Sequence, residues 1–157
     1  DMLAMPVSRA DIVIAKMIVV SLWCILLSVV FFICSIIAGF ATNLGNWSNS
    51  VFIHSLKLFS ISALLTVCLS TPVAFLASYS RGYLLPLGFL IFILMFSQLV
   101  GVGLPALAPY FPWAVPGLFG ASAGASRLGF ASYFIFFLTC LLGFCGTIAW
   151  WRFADQS

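Results

Sequence analysis

Four stretches of this chain run for twenty residues or more without a charged side chain: Met17–Phe40, Leu58–Ser80, Tyr83–Val102 and Leu128–Trp151. A bilayer core of about 30 Å needs roughly 20 apolar residues at ~1.5 Å of helical rise each, so every one of them is long enough to cross. The fold predicted is an all-α integral membrane protein with four transmembrane helices in one domain spanning residues 1–157. Residues 103–127 are also apolar, but Pro105, Pro109, Pro112 and Pro116 recur within them, and each proline removes a backbone donor. Irregular backbone at membrane depth survives only when buried in protein or lining a cavity. The segment therefore reads as short half-helices dipping into the outer leaflet between the third and fourth spans, a lid over whatever the helices enclose.

Composition narrows the chemistry. The chain is 64% hydrophobic and 6% charged, with a mean hydropathy of +1.26, against roughly 25% charged residues in soluble domains. Its carboxylates are Asp1, Asp11 and Asp155, and glutamate is absent, so paired-carboxylate catalysis and carboxylate proton relays lack their usual groups. No Asp, Glu, Lys, Arg or His lies well inside a span, which removes the normal carriers of proton coupling and voltage sensing. The net charge of +3 is too small and scattered for a nucleic-acid footprint. Cys24, Cys34, Cys68, Cys140 and Cys145 lie in apolar stretches without CxxC spacing and read as buried small hydrophobes rather than disulfide or zinc ligands. The chain opens on Asp1 rather than Met, and its first apolar run is far longer than a signal-peptide core; it reads as part of a longer chain.

Orientation follows from basic residues, which collect at cytoplasmic ends. With both ends inside, Arg9, Lys16, Arg81 and Arg152 are cytoplasmic and Lys57 and Arg127 outside. The short Ser80-Arg81-Gly82 turn fits an inside hairpin. Trp47 and Trp113 then mark the outer interface, and Trp150 and Trp151 the inner one.

Several local signals remain. Residues 1–16 form a cytoplasmic elbow in which Pro6 stops any preceding helix. Ser8 caps the next helix, with Asp11 three residues later as in a capping box, and Val7 and Ile12 fit a hydrophobic staple. The second span carries small residues at Ala63, Thr66, Ser70, Ala74 and Ala77, spaced three or four apart. Such stripes let helix backbones approach closely in lipid, and the same lining would suit a translocation seam. Pro72 inside that span predicts a kink. Gln98, near the outer end of the third span, should find a hydrogen-bond partner inside the protein.

Catalytic signatures are thin. Gly120-Ala121-Ser122-Ala123-Gly124 matches the nucleophile-elbow pattern, but that pattern needs a strand-turn-helix context, a histidine and an acid. The chain's one histidine, His54, lies near the second span. A Ser122–His54 intramembrane hydrolase is one alternative reading; a small-residue turn is the simpler one. Asn46-Trp47-Ser48 matches a glycosylation sequon. No phosphate-cradling GxxxxGK[ST] loop, HExxH or Rossmann glycine pattern occurs, so any energy must come from a partner.

The elbow Met2-Leu3-Ala4-Met5-Pro6-Val7-Ser8-Arg9, followed by Asp11-Ile12-Val13-Ile14-Ala15-Lys16, resembles the ABC-2 type transporter permeases. Pro112-Trp113-Ala114-Val115-Pro116 in the broken segment and Trp151-Arg152-Phe153 after the last span resemble the bacitracin-transport type within that family. The resemblance implies the last four helices of a six-helix permease subunit in the plasma membrane of a bacterium, serving an ATP-driven exporter in antibiotic resistance. It implies no catalytic residue, cofactor or metal in this chain. ATP would be bound by a separate ABC ATP-binding subunit, and a second permease copy or homologue would complete a dimer. On the family's pattern, Pro6, Val7, Ser8 and Arg9 would receive the ATPase stroke; in this chain Arg9 and Asp11 are expected to contribute to the docking surface, and Ala63, Thr66, Ser70, Ala74 and Ala77 to pack near a dimer seam. A non-transporting membrane immunity or assembly factor would show the same spans without an ATPase partner.

Overall fold

The computed structural model describes residues 9–42, 48–80, 82–121 and 125–153. All regular structure among them is helical, and four helical stretches are long and apolar enough to cross a membrane. The first helix, α1 (Arg9–Ala41), is uninterrupted; at ~1.5 Å per residue it is about 50 Å long. Arg9 to Lys16, read from sequence as an elbow ahead of the span, are thus the first turns of the spanning helix itself.

The second span begins at Asn49, so His54 and Lys57 lie within the helix, both exposed, rather than ahead of it. It then divides at Leu69 into α2 (Asn49–Cys68) and α3 (Ser70–Tyr79). Pro72 explains the position of the break, because it offers no N–H to the Cys68 carbonyl one turn back and its ring crowds that oxygen. The two preceding hydroxyls take over the exposed carbonyls. Ser70 Oγ donates to Val67 O at 2.7 Å and Thr71 Oγ1 to Cys68 O at 2.9 Å, as a kink in an apolar medium requires.

The third span is α4 (Leu84–Gly103) and the last is α6 (Phe130–Phe153). Lys16 Nζ lies 5.2 Å from the centre of the Trp151 ring, which brings the start of α1 and the end of α6 to one end of the bundle. Tyr79 and Trp150 meet edge-on at 4.9 Å and add the end of α3. Toward the other end Phe32 packs on Phe52 and Phe59, with ring centres 6.2 and 5.0 Å away, tying α1 to α2.

Between α4 and α6 the chain folds back into the bundle as 3-10 turns at Ala108–Tyr110 and Pro112–Ala114, the short α5 (Val115–Gly120), and a further 3-10 turn at Ala125–Arg127. Prolines open the first two turns and α5, at positions where a missing N–H costs no helical bond. The segment bonds itself locally, with Tyr110 N to Leu107 O at 3.0 Å, Ala114 N to Phe111 O at 2.9 Å and Ala121 N to Gly117 O at 3.0 Å. Ala108, Pro109, Ala114, Val115 and Pro116 are all buried. The proline-broken segment is therefore the centre of the molecule: Val115 and Phe136 are both 0% exposed and pack with Leu69 and Cys140. Phe136 lies six residues into α6, so the fold-back reaches about 9 Å below the helix start.

The outer faces of α1 and α4 are apolar and exposed, Phe31 and Met95 among them, as a lipid-facing surface should be. On α4 the inward residues are Pro86, Ile93 and Val100, seven apart. Gln98 falls off that seam. It is exposed and has no hydrogen bond among the described residues, so the expected partner within the fold is not there: helix rotation, set by the apolar heptad spacing, turns the amide away from the neighbouring helices.

Candidate functional site

Of the sequence-predicted coupling residues, Arg9 and Asp11 lie at the end of the bundle that holds the start of α1 and the end of α6. Pro6, Val7 and Ser8 lie outside the described residues; Arg9 is the first residue of α1. Asp11 is exposed in the first turn, where the positive end of the helix dipole favours a carboxylate. Two residues on, Val13 is buried at 3% exposure and fixes this end of α1 against the bundle. Asp11 and Lys16 then flank an open apolar strip of α1 made by Ile12, Ala15, Val19 and Val20. One face thus presents a carboxylate and an ammonium beside apolar surface, on the end of a helix continuous with the span. Such a face can bind another protein and transmit its movement.

The small-residue stripe is split by the break at Leu69. Ala63 and Thr66 lie on α2 and Ser70, Ala74 and Ala77 on α3. Ala63, Ser70 and Ala74 are half-buried, Thr66 and Ala77 exposed. The stripe's hydroxyls are satisfied within their own chain segment: Thr66 Oγ1 donates to Ser62 O at 2.9 Å and Ser70 Oγ to Val67 O at 2.7 Å.

The tightest helix contact runs along the adjacent face of α3, and it was not foreseen. Thr71 Oγ1 also lies 2.9 Å from Cys140 O, so its one proton is shared between carbonyls of two helices. A β-carbon on Gly143 would collide with the Pro72 nitrogen and come within 2.7 Å of Pro72 Cα, and one on Gly146 would meet the Phe75 ring at 3.1 Å. The small residues that admit this approach are on the last helix, where Cys140, Gly143 and Gly146 recur every three residues, with Thr147 beside the last. The rule applied to the second span would have found them there too.

The fold-back is held by Ser62, whose Oγ donates to Pro116 O at 2.7 Å. Gly120 packs over the same hydroxyl, 3.5 Å from where its β-carbon would sit. On the α4 side the rings of Phe89 and Trp113 meet edge-on at 5.8 Å, and Phe96 and Phe111 at 5.4 Å. Ser122 lies outside the described residues, and His54 is an exposed residue of α2. Among the described residues no three His, Cys, Asp or Glu side chains come together. Beside the fold-back a cleft of about 470 Å³ opens between Pro105, Pro109 and Tyr110 on one wall and Arg127, Gly129 and Ser132 on the other.

Residues 1–97 match the family described as ABC-2 family transporter protein. Over 115 residues, 73% of this chain, the sequence is 27% identical to the Bacitracin transport permease protein BCRB of Bacillus licheniformis, of which the match covers 54%. The chain thus spans about half the length of that relative. No solved structure matches.

Proposed function

Because the chain belongs to the ABC-2 family of transporter proteins, we propose that it is the part of a permease subunit that couples a separate ATP-binding subunit to the translocation path of an exporter. The observation that carries this reading beyond the family is the Lys16–Trp151 contact. It gathers the ends of α1 and α6 into one face, and the residues there continue without a break into a helix of 33 residues. A push at Arg9 and Asp11 would be delivered along α1 as a rigid lever. ATP is bound and hydrolysed by the partner, which docks on this face; this chain supplies no catalytic residue and no cofactor. The face lies in the cytoplasm, as the distribution of Lys and Arg suggests, and the protein resides in the plasma membrane.

Movement of α1 against the bundle would alternate access to a path that opens outward beside the fold-back. A second permease copy packs near the small-residue face of the second span, where Thr66 and Ala77 are exposed. Peptide antibiotics of the kind named for the Bacillus relative are the first cargo to test, with resistance as the cellular readout.

Mild-detergent purification of the full-length protein, followed by mass spectrometry of stoichiometric partners, tests the reading. Recovery of a P-loop ATPase, lost when Arg9 and Asp11 are neutralised, supports it. Recovery of none, under conditions that preserve other membrane complexes, overturns it in favour of a non-transporting membrane factor. Ser122→Ala is expected to leave transport intact, and its loss would revive the hydrolase alternative.

A further inference from the structure

Arg127 is a basic side chain that lines a cleft with no carboxylate among the lining residues. It lines the opening of about 470 Å³ beside Tyr110, and among the described residues it has no hydrogen bond, ion pair or aromatic contact. The described carboxylate, Asp11, lies in the first turn of α1, at the opposite end of the bundle. A guanidinium three residues ahead of an apolar span sits where the polar and hydrocarbon zones of a membrane meet. The cleft walls are stiff: Pro105 and Pro109 form one side, and on the other Gly129 and the 2%-exposed Ser132 close the turn into α6, with Gly129 N donating to Ser132 Oγ at 3.4 Å. The first turn of α6 directs its positive dipole end to the same place. The remaining lining side chains, Ala106 and Ala131, are apolar. Phe130, between the lining residues Gly129 and Ala131, is 88% exposed and stacks at 6.4 Å on Phe134, 59% exposed and one turn further along α6.

We propose that this cleft binds the phosphate of an amphiphile, with Arg127 holding the phosphate oxygens, the Tyr110 hydroxyl donating at the rim and Phe130 and Phe134 lying along the acyl chain. A planar guanidinium pairs with phosphate through two parallel hydrogen bonds, and a basic pocket between spanning helices is the setting in which head groups are recognised. The same oxygens occur on free phosphate, which has nothing to place against the phenylalanines. The proposal does not depend on the transport reading.

The test uses the full-length protein in nanodiscs of phosphatidylcholine mixed with phosphatidylglycerol. Lipid retained on extraction is measured by native mass spectrometry, with and without inorganic phosphate. Arg127 is exposed and has no hydrogen bond, ion pair or ring contact among the described residues, so Arg127→Gln should fold normally. Expected is retention of phosphatidylglycerol by the native protein, retention at least about tenfold lower in Arg127→Gln, as for loss of one charge-assisted contact, and partial retention in Arg127→Lys. Lys57→Gln, which removes a charge outside the cleft, should change nothing. Displacement of the lipid by phosphate that itself binds through Arg127 would keep the phosphate site and assign it a soluble ligand. Equal retention in Arg127→Gln and native protein, or no binding of either probe, would overturn the proposal.

Discussion

Gly143 lies against the backbone of Pro72 so closely that a β-carbon on it would come within 2.7 Å of the proline Cα. Backbone cannot move aside as a flexible side-chain end can, and lipid offers no hydrophobic gain to offset a widened gap. Gly143→Ala is therefore expected to lower stability by at least about 2 kcal/mol, as overpacking does. Gly101, which has nothing within 4 Å of its missing β-carbon, is the control: Gly101→Ala should leave thermal unfolding in detergent unchanged or slightly raised.

Ser62→Ala removes the hydrogen bond that ties α2 to the Pro116 carbonyl. The expected cost is about 1 kcal/mol, and its location is specific. Hydrogen exchange measured by mass spectrometry should rise over Gly117–Gly120 while that of α1 stays as it was.

Thr71 serves two helices with one hydroxyl, at 2.9 Å from both Cys68 O and Cys140 O. Thr71→Val keeps the shape and deletes the bond, and should destabilise by about 0.6–1.7 kcal/mol; Thr71→Ser should restore most of the loss. Equal stability of the valine and serine variants would show that packing alone holds α3 to α6.

Thr66 and Ala77 are exposed members of the small-residue stripe, so leucine at either fits within the single chain. Thr66→Leu and Ala77→Leu should insert and unfold normally. If the stripe lies at a seam with a second copy, the same variants lose dimer cross-linking and transport together, whereas full transport would remove the stripe from the interface.

Much of the architecture is legible in the sequence. The four spans emerged from uncharged length alone, and the burial of the proline-broken segment followed from its inability to bond as a straight helix, as Val115 and Pro116 now show. Helix ends were less legible. Lys57 read as the edge of the second span, yet α2 continues eight residues before it to Asn49, because a basic residue near an interface does not end hydrogen bonding along a helix. Gly143 and Gly146 were passed over because a small residue reveals its role only when the opposing backbone is known.

By itself the sequence determined that the described residues hold four helices long and apolar enough to cross a membrane and one fold-back, since desolvated backbone admits few alternatives and prolines mark where the regular one fails. It also placed a kink at Pro72. Only the tertiary structure decided how each helix is rotated: that Gln98 turns outward, that α3 meets α6 through Thr71 and Pro72 rather than through its alanines, and that Arg127 borders a cleft. In a chain apolar on nearly every side, periodicity does not distinguish the face toward protein from the face toward lipid. Close packing, which depends on the shapes of both partners at once, makes that choice.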